Sequence, residues 1–340
     1  MKVVTFGEIM MRLTPPAHER LVQARSLEVT FGGAEANVAV SLACMGEEAE
    51  FVTKLPENDI SQAAINSLRA WGVETGHIVR GGARMGTYYM ERGASQRPSK
   101  VVYDRAASAI AQAGAEEFDW EKIFDGADWF HLTGITPALG DGVAAASLAA
   151  CKEAKKRGMT VSFDPNYRAK LWSLETAAEA MGRYLPYVDV LITNENQAGD
   201  LFGVRVPAEE ISGDDVTDKG YLALAQSLQA LYPHLRMIAL TERRTLSAEV
   251  NSFCAKLWDG KTLSASEKYR IEIIDRVGGG DAFAAGLIYA LRHGQSSADA
   301  VRFAAAASCL KHSIEGDFNP TTVQEVNALA KGNANGRVQR

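Results

Sequence analysis

Short apolar runs rich in β-branched and aromatic residues alternate with longer stretches whose apolar positions recur every three or four residues. Residues 3–6, 50–53, 129–132, 160–163, 188–193 and 237–241 have the length and composition of buried strands. Residues 34–45, 62–71, 142–157, 174–185 and 222–231 carry the helical spacing. Beyond Asp275 the pattern is helical throughout, over 282–292, 297–311 and 321–329. Strand followed by helix, repeated, predicts an α/β fold with a mostly parallel central sheet covered by helices on both faces. One domain over 1–330 with a polar tail at 331–340 fits that rhythm.

Two regions interrupt it. Residues 13–31 and 84–108 alternate polar and apolar positions with no helix between them. GTYYMERG and SKVVYDRAAS read as two antiparallel strands joined by a polar turn at 93–98. A small β-sheet inserted in an α/β domain serves well as a lid, because it closes over a site and excludes water; a plain surface hairpin has the same pattern. The predicted strands of the sheet end in polar groups: Gly7-Glu8, Thr133-Gly134, Asp164-Pro165-Asn166, Thr193-Asn194-Glu195 and Thr241-Glu242-Arg243. In open parallel sheets ligands bind beyond these ends.

Charge and cysteine content narrow the functional classes. The 340 residues carry a net charge of -6 and show no basic stripe, which argues against nucleic acid as a partner. An anionic small substrate stays admissible, since a few arginines set a local field. No apolar run approaches the roughly 18 residues of a membrane span, and MKVVTFGEIM reads as a first strand, not a signal peptide. Four cysteines stand singly, without metal-ligand spacing, as expected in a reducing cytoplasm. His131 sits in an apolar strand and reads as a core residue.

The stretch DRVGGGDAFAAGL, residues 275–287, concentrates chemistry. Consecutive glycines let successive N–H groups point into one concavity, and a helix from about Asp281 adds free N–H groups and a positive dipole end. Asp281 is then a carboxylate beside an anion site. A tight turn with Asp281 as N-cap explains the same letters. There is no GxxxxGK[ST], no Rossmann GxGxxG, since Phe283 stands at its third glycine, and no HRD and DFG pair.

This stretch resembles the C-terminal signature of the ribokinase-like, or PfkB-type, carbohydrate kinases, D-T-x-G-A-G-D-x-F. FGGAEANVAVSLACMG, residues 31–46, resembles the first signature of that family, with Gly32, Gly33 and Asn37 at its positions. The likeness spans nearly the whole chain. LPENDISQAA, YDRAASA, DPNYR, ITNEN and ALTERRTLSA resemble the family's 2-keto-3-deoxygluconate kinases. The resemblance implies ATP-dependent phosphorylation of that sugar acid to the 6-phosphate in the cytoplasm, with magnesium, a monovalent cation in some members, and a homodimer through the lid.

It also implies roles. Asp281 is the base that takes the hydroxyl proton, and the amides of Gly278, Gly279 and Gly280 form the anion hole. Gly32, Gly33, Asn37 and Asn166 meet the sugar. Tyr88, Tyr103, Arg105 and Arg168 line its pocket, because a guanidinium grips a carboxylate in a bidentate fork. Asn194 and Thr241 lie by the nucleotide with Gly278 and Gly280, and Arg243 or Arg244 supplies charge there. The chain departs from the family in three places. Gln197 ends the N-x-x-E motif, so the metal ligands stay unassigned. TERRTLSA replaces a glycine-bearing loop. Gly279 and Arg276 stand where alanine and threonine are usual, which leaves the backbone amides in place. LKHSIEGD is similar to the family's cation-binding, nucleotide-adjacent region; no catalytic role is expected of His312, and Asp317 reads equally as turn, cap or ligand. Kinases of fructose, ribose or another hexonate, and a non-catalytic sugar-acid or nucleotide sensor, are the alternatives.

Overall fold

The computed structural model describes residues 1–212 and 215–333; the end of the expected polar tail, 334–340, lies outside them. Six parallel strands form the body of the central sheet, in the order Met237–Thr245, Val190–Thr193, Thr160–Asp164, Ala127–Thr133, Lys2–Phe6, Ala49–Val52. Alternation sends successive side chains to opposite faces. Val190 and Ile192 join one apolar core and Leu191 the other; Ala239 and the pair Ile238 and Leu240 divide likewise. On one face the helices Ala34–Cys44, Gly279–Arg292 and Ser297–Lys311 close the first core. On the other, Asp141–Lys156, Leu174–Tyr184 and Asp218–Leu231 close the second. The expected strands and helices are present, with ends shifted by a few residues.

Beyond Thr241 the structure departs from the sequence pattern. The expected TERRT loop continues a strand to Thr245, and Val250–Trp258, Leu263–Ala265 and Tyr269–Glu272 extend the sheet antiparallel. Polar residues that face each other hide these strands from an apolar count. Buried Glu242 accepts from Lys256 at 3.3 Å and Lys268 at 3.2 Å. The helix Glu195–Phe202 also escapes the pattern, because it buries only Ala198, Gly199 and Leu201.

The two irregular regions form a separate four-stranded sheet, in the order Glu28–Gly32, Met10–Thr14, Thr87–Glu91, Lys100–Asp104. Its last two strands are the expected hairpin, pairing Tyr88 with Tyr103 and Thr87 with Asp104. Among the described residues no helix is long and apolar enough to cross a membrane. His131 is fully buried with Nδ1 2.8 Å from Ser162 Oγ, and burial holds its pKa down at about 3, as a core histidine requires.

Candidate active site

The chain runs from the Lys2–Phe6 strand outward to Ala49–Val52, then returns to lay Ala127–Thr133 on the other side. Loops leaving the two central strands therefore part, and a cleft opens at the strand ends. Its volume is about 650 Å³. The second sheet forms one wall through Met10, Tyr88 and Tyr103.

Of the residues assigned to catalysis, sugar or nucleotide, all but Gly32 line this cleft, and of the pair Arg243 or Arg244 it is Arg243 that does so. Gly32 is buried behind it. A Cβ there would lie 2.1 Å from Asp317 Oδ2, so the glycine makes room for a carboxylate. Thr133 and Glu242 leave the expected polar rim as well: Thr133 donates to buried Glu35, and Glu242 faces the lysines.

The helix Gly279–Arg292 begins three residues earlier than the apolar pattern indicates. Gly278 is its N-cap, with φ 84, a left-handed conformation that glycine adopts without strain. The first N–H groups of the helix have no carbonyl one turn back, and they open onto the cleft with a positive dipole end. Asp281 is thus in the first turn and not the cap. Its Oδ2 accepts a hydrogen bond from Asn37 Nδ2 at 2.7 Å, while Asn37 Oδ1 accepts from Gly33 N at 3.3 Å. One N–H of the Asn37 amide thus positions Asp281, while among the described residues its second N–H and remaining lone pair stay free beside the cleft. Burial pushes the Asp281 carboxyl up to about 7; Asn37 opposes the shift, and Asp164, Asp317 and Glu35 add to it. A carboxylate so poised is fit to take a proton near neutrality.

Gly279 is not a neutral replacement. A Cβ there would lie 2.4 Å from Cε1 of His312, whose ring is held by Nδ1 2.6 Å from Ser308 O. The two residues share one space beside the 278–280 turn. Burial, reinforced by the nearby Lys311, Arg243 and Arg276, lowers His312 to about 4 and keeps it neutral.

Arg105 enters the cleft from the lid side. Glu8 Oε2 accepts from its Nε at 2.7 Å and pairs with Nη2, and Glu8 Oε1 accepts from Ser108 Oγ at 2.6 Å. The guanidinium carbon lies 5.5 Å from the Tyr103 ring centre. Glu8 therefore holds one edge of the fork, a partnership between distant segments that no local motif announces. Tyr88 is buried and donates to Asp317 at 2.6 Å, which ties the lid to the C-terminal segment. Asn166, at φ 40, turns the chain after its strand with its N–H on Asp164 Oδ1 at 2.9 Å. Arg168 follows it, exposed on the cleft edge.

On the opposite side Arg243 lines the cleft, whereas Arg244 points away to Glu195 and Asp215, each at 3.4 Å. Burial, then the like charges of Arg276 and Arg168, lower Arg243 from its ordinary value. Arg243 and Arg276, neighbouring guanidiniums on the cleft wall, suit a polyanion. Asn194 is a helix N-cap, its Oδ1 accepting from Gln197 N at 2.9 Å, and Thr241 bonds Thr193 O at 3.3 Å. Glu195 is the carboxylate of this turn. Among the described residues no cluster of three or more metal-binding side chains occurs.

The sequence profile of the pfkB family carbohydrate kinases matches residues 1–322. The chain belongs to that family. The 2-dehydro-3-deoxygluconokinase of Thermotoga maritima has the same structure with a TM-score of 0.93, at 49% identity over 98% of each chain. The 2-dehydro-3-deoxygalactonokinase of Haloferax volcanii is 34% identical over 97% of both chains. A 2-dehydro-3-deoxygluconokinase of Thermoproteus tenax is 28% identical over 93% of this chain and 89% of its own. This PfkB protein is accordingly a sugar kinase with the ribokinase-like fold, a phosphotransferase acting on an alcohol group. Kinases of the family use ATP.

Proposed function

We propose that the chain transfers the γ-phosphoryl group of ATP to the terminal hydroxyl of 2-keto-3-deoxygluconate, giving the 6-phosphate. One observation carries the reading: a single cleft holds Asp281, the open amides of the helix start and the lid arginine Arg105. Asp281 takes the proton as the hydroxyl oxygen bonds to phosphorus and the bond to the ADP oxygen breaks. The amides of Gly278, Gly279 and Gly280 receive the charge on the transferring group. Arg243 and Arg276 hold the phosphates, with Asn194 and Thr241 along the nucleotide. Glu195 is the residue suited to a magnesium ion that the nucleotide carries, since magnesium takes few protein carboxylates beside phosphates. When bound there, magnesium would neutralise part of the phosphate charge.

At the other end Arg105 and Arg168 take the sugar carboxylate, with Gly33, Asn166, Tyr88 and Tyr103 around the chain of hydroxyls. The Glu8 pairing orients the fork for this. Arg105→Ala is expected to raise KM for the sugar acid by about 10-fold or more while leaving KM for ATP within about 2-fold, as loss of a charged hydrogen bond implies. Equal rises in both constants would point to collapse of the lid and sink the carboxylate assignment.

The apolar row Val29, Leu13, Tyr89 and Val102 crosses the outer face of the lid sheet in register. It supports a homodimer formed through the lid, and the sugar-kinase role favours a cytoplasmic location.

A further inference from the structure

Four charged side chains are buried behind the anion hole. Arg12, 1% exposed, pairs with Asp275 through Nη2 and with Asp317 Oδ1 through Nη1 at 2.7 Å. Burial works against its charge, but Asp317 and Asp275 outweigh it and hold the guanidinium above its ordinary value. The fourth is Lys311, the last residue of the Ser297–Lys311 helix, with no exposed surface. Its Nζ donates to Ile314 O at 3.0 Å and forms no ion pair within 4.0 Å among the described residues. A lysine is seldom buried completely without a carboxylate in contact. Its stem packs on the anion hole: Cε would lie 3.2 Å from a Cβ at Gly278.

We infer that Lys311 is a built-in cation, whose ammonium group supplies behind the 278–280 amides the positive charge that a bound monovalent cation would otherwise bring. The oxygens of this segment do not fit an added ion. Ile314 O is taken by Lys311; Asp275 Oδ2 by Arg12 and Gly316 N; Asp275 Oδ1 by Val277 N. His312 O accepts from Ile274 N and Asp275 N. Asp317 is held by Arg12 and Tyr88. Counted by formal charge, Arg12 and Lys311 balance Asp275 and Asp317. Removing the Lys311 charge leaves one uncompensated negative charge under amides that must attract a phosphoryl group. Lys311 acts through the hole and is a positioning residue, not a catalytic one.

The inference rests on the kinase reading, and its test separates the two. Wild-type kcat is expected to agree within about 2-fold in potassium, sodium, ammonium and choline chloride at one ionic strength, as a tethered charge needs no partner ion. Lys311→Met is expected to lower kcat by about 10²-fold, the scale of losing an anion-hole contact, with KM for ATP changed much less. Lys311→Ala should regain about 10-fold in ammonium or potassium over choline, and its Tm should rise with ammonium while the wild-type Tm does not, as binding linkage requires. A wild-type enzyme that needs potassium, a Lys311→Met variant with normal kcat, or a Lys311→Ala Tm indifferent to ammonium and potassium would each overturn the inference. The Tm comparison needs no substrate, so absence of turnover on every sugar would count against the kinase reading alone.

Discussion

Asp281 and Asn37 show how much of a site's chemistry lies in one side-chain contact. The Asp281 carboxyl rises to about 7 because burial disfavours its charged form, and the Asn37 amide restrains the rise. If Asp281 is the base, its deprotonated form is the active one. We expect kcat/KM to fall about 10-fold per pH unit below about 7 and to be level above it. Asp281→Asn should lower kcat by roughly 10²–10⁴-fold. Normal turnover in that variant, or a profile flat down to pH 5, would remove Asp281 from the role. Stability runs the other way. Between the ordinary 3.8 and about 7 the folded protein keeps a proton that the unfolded chain has released, so this group's contribution falls as pH rises through that window. Asp281→Asn is therefore expected to have a higher Tm than wild type at pH 8, and a lower one would contradict the raised value. The motif letters identify Asp281, but not the amide that tunes it. Gly32 is comparable: the sequence shows a glycine before a helix, and only packing shows Asp317 in the space it leaves.

At the scale of elements, legibility follows how cleanly a segment separates apolar from polar faces. The parallel strands are buried on both sides and read as continuous apolar runs, so they stand out. The Val250–Trp258 strand buries Lys256 in an ion pair with Glu242, its diagonal neighbour across the ladder, and a pattern based on hydropathy loses it. The cost of that loss is specific. Read as a strand, TERRT has period two, and Arg243 and Arg244 must point to opposite sides; Arg243 faces the cleft and Arg244 the Glu195 side. Read as a loop, the choice stays open. The glycine stretch is similar. The triple glycine is plain in sequence, but the left-handed Gly278 moves the helix start forward and puts Asp281 within its first turn. The Gly279 and His312 pair joins residues 33 positions apart, and no local signal could link them.

Over the whole molecule, a net charge of -6 coexists with a cleft lined by Arg105, Arg168, Arg243 and Arg276. Global charge speaks to solubility and local charge to the ligand. The lid adds a second large-scale feature. Val29 is 56% exposed and Val102 39% exposed at the ends of one apolar row. A dimer buried on that row predicts that Val29→Glu shifts the molecular mass in light scattering from twice the chain mass to one. A wild type already monomeric at assay concentration would refute the dimer. The central claim is a kinase whose cleft reads a carboxylate. Its most direct test is ADP release with ATP, magnesium and a panel of 2-keto-3-deoxygluconate, its galactonate epimer, gluconate, fructose and ribose. We predict the highest kcat/KM for 2-keto-3-deoxygluconate. A neutral sugar as the best substrate, or no turnover with either keto-deoxy acid, would contradict the account.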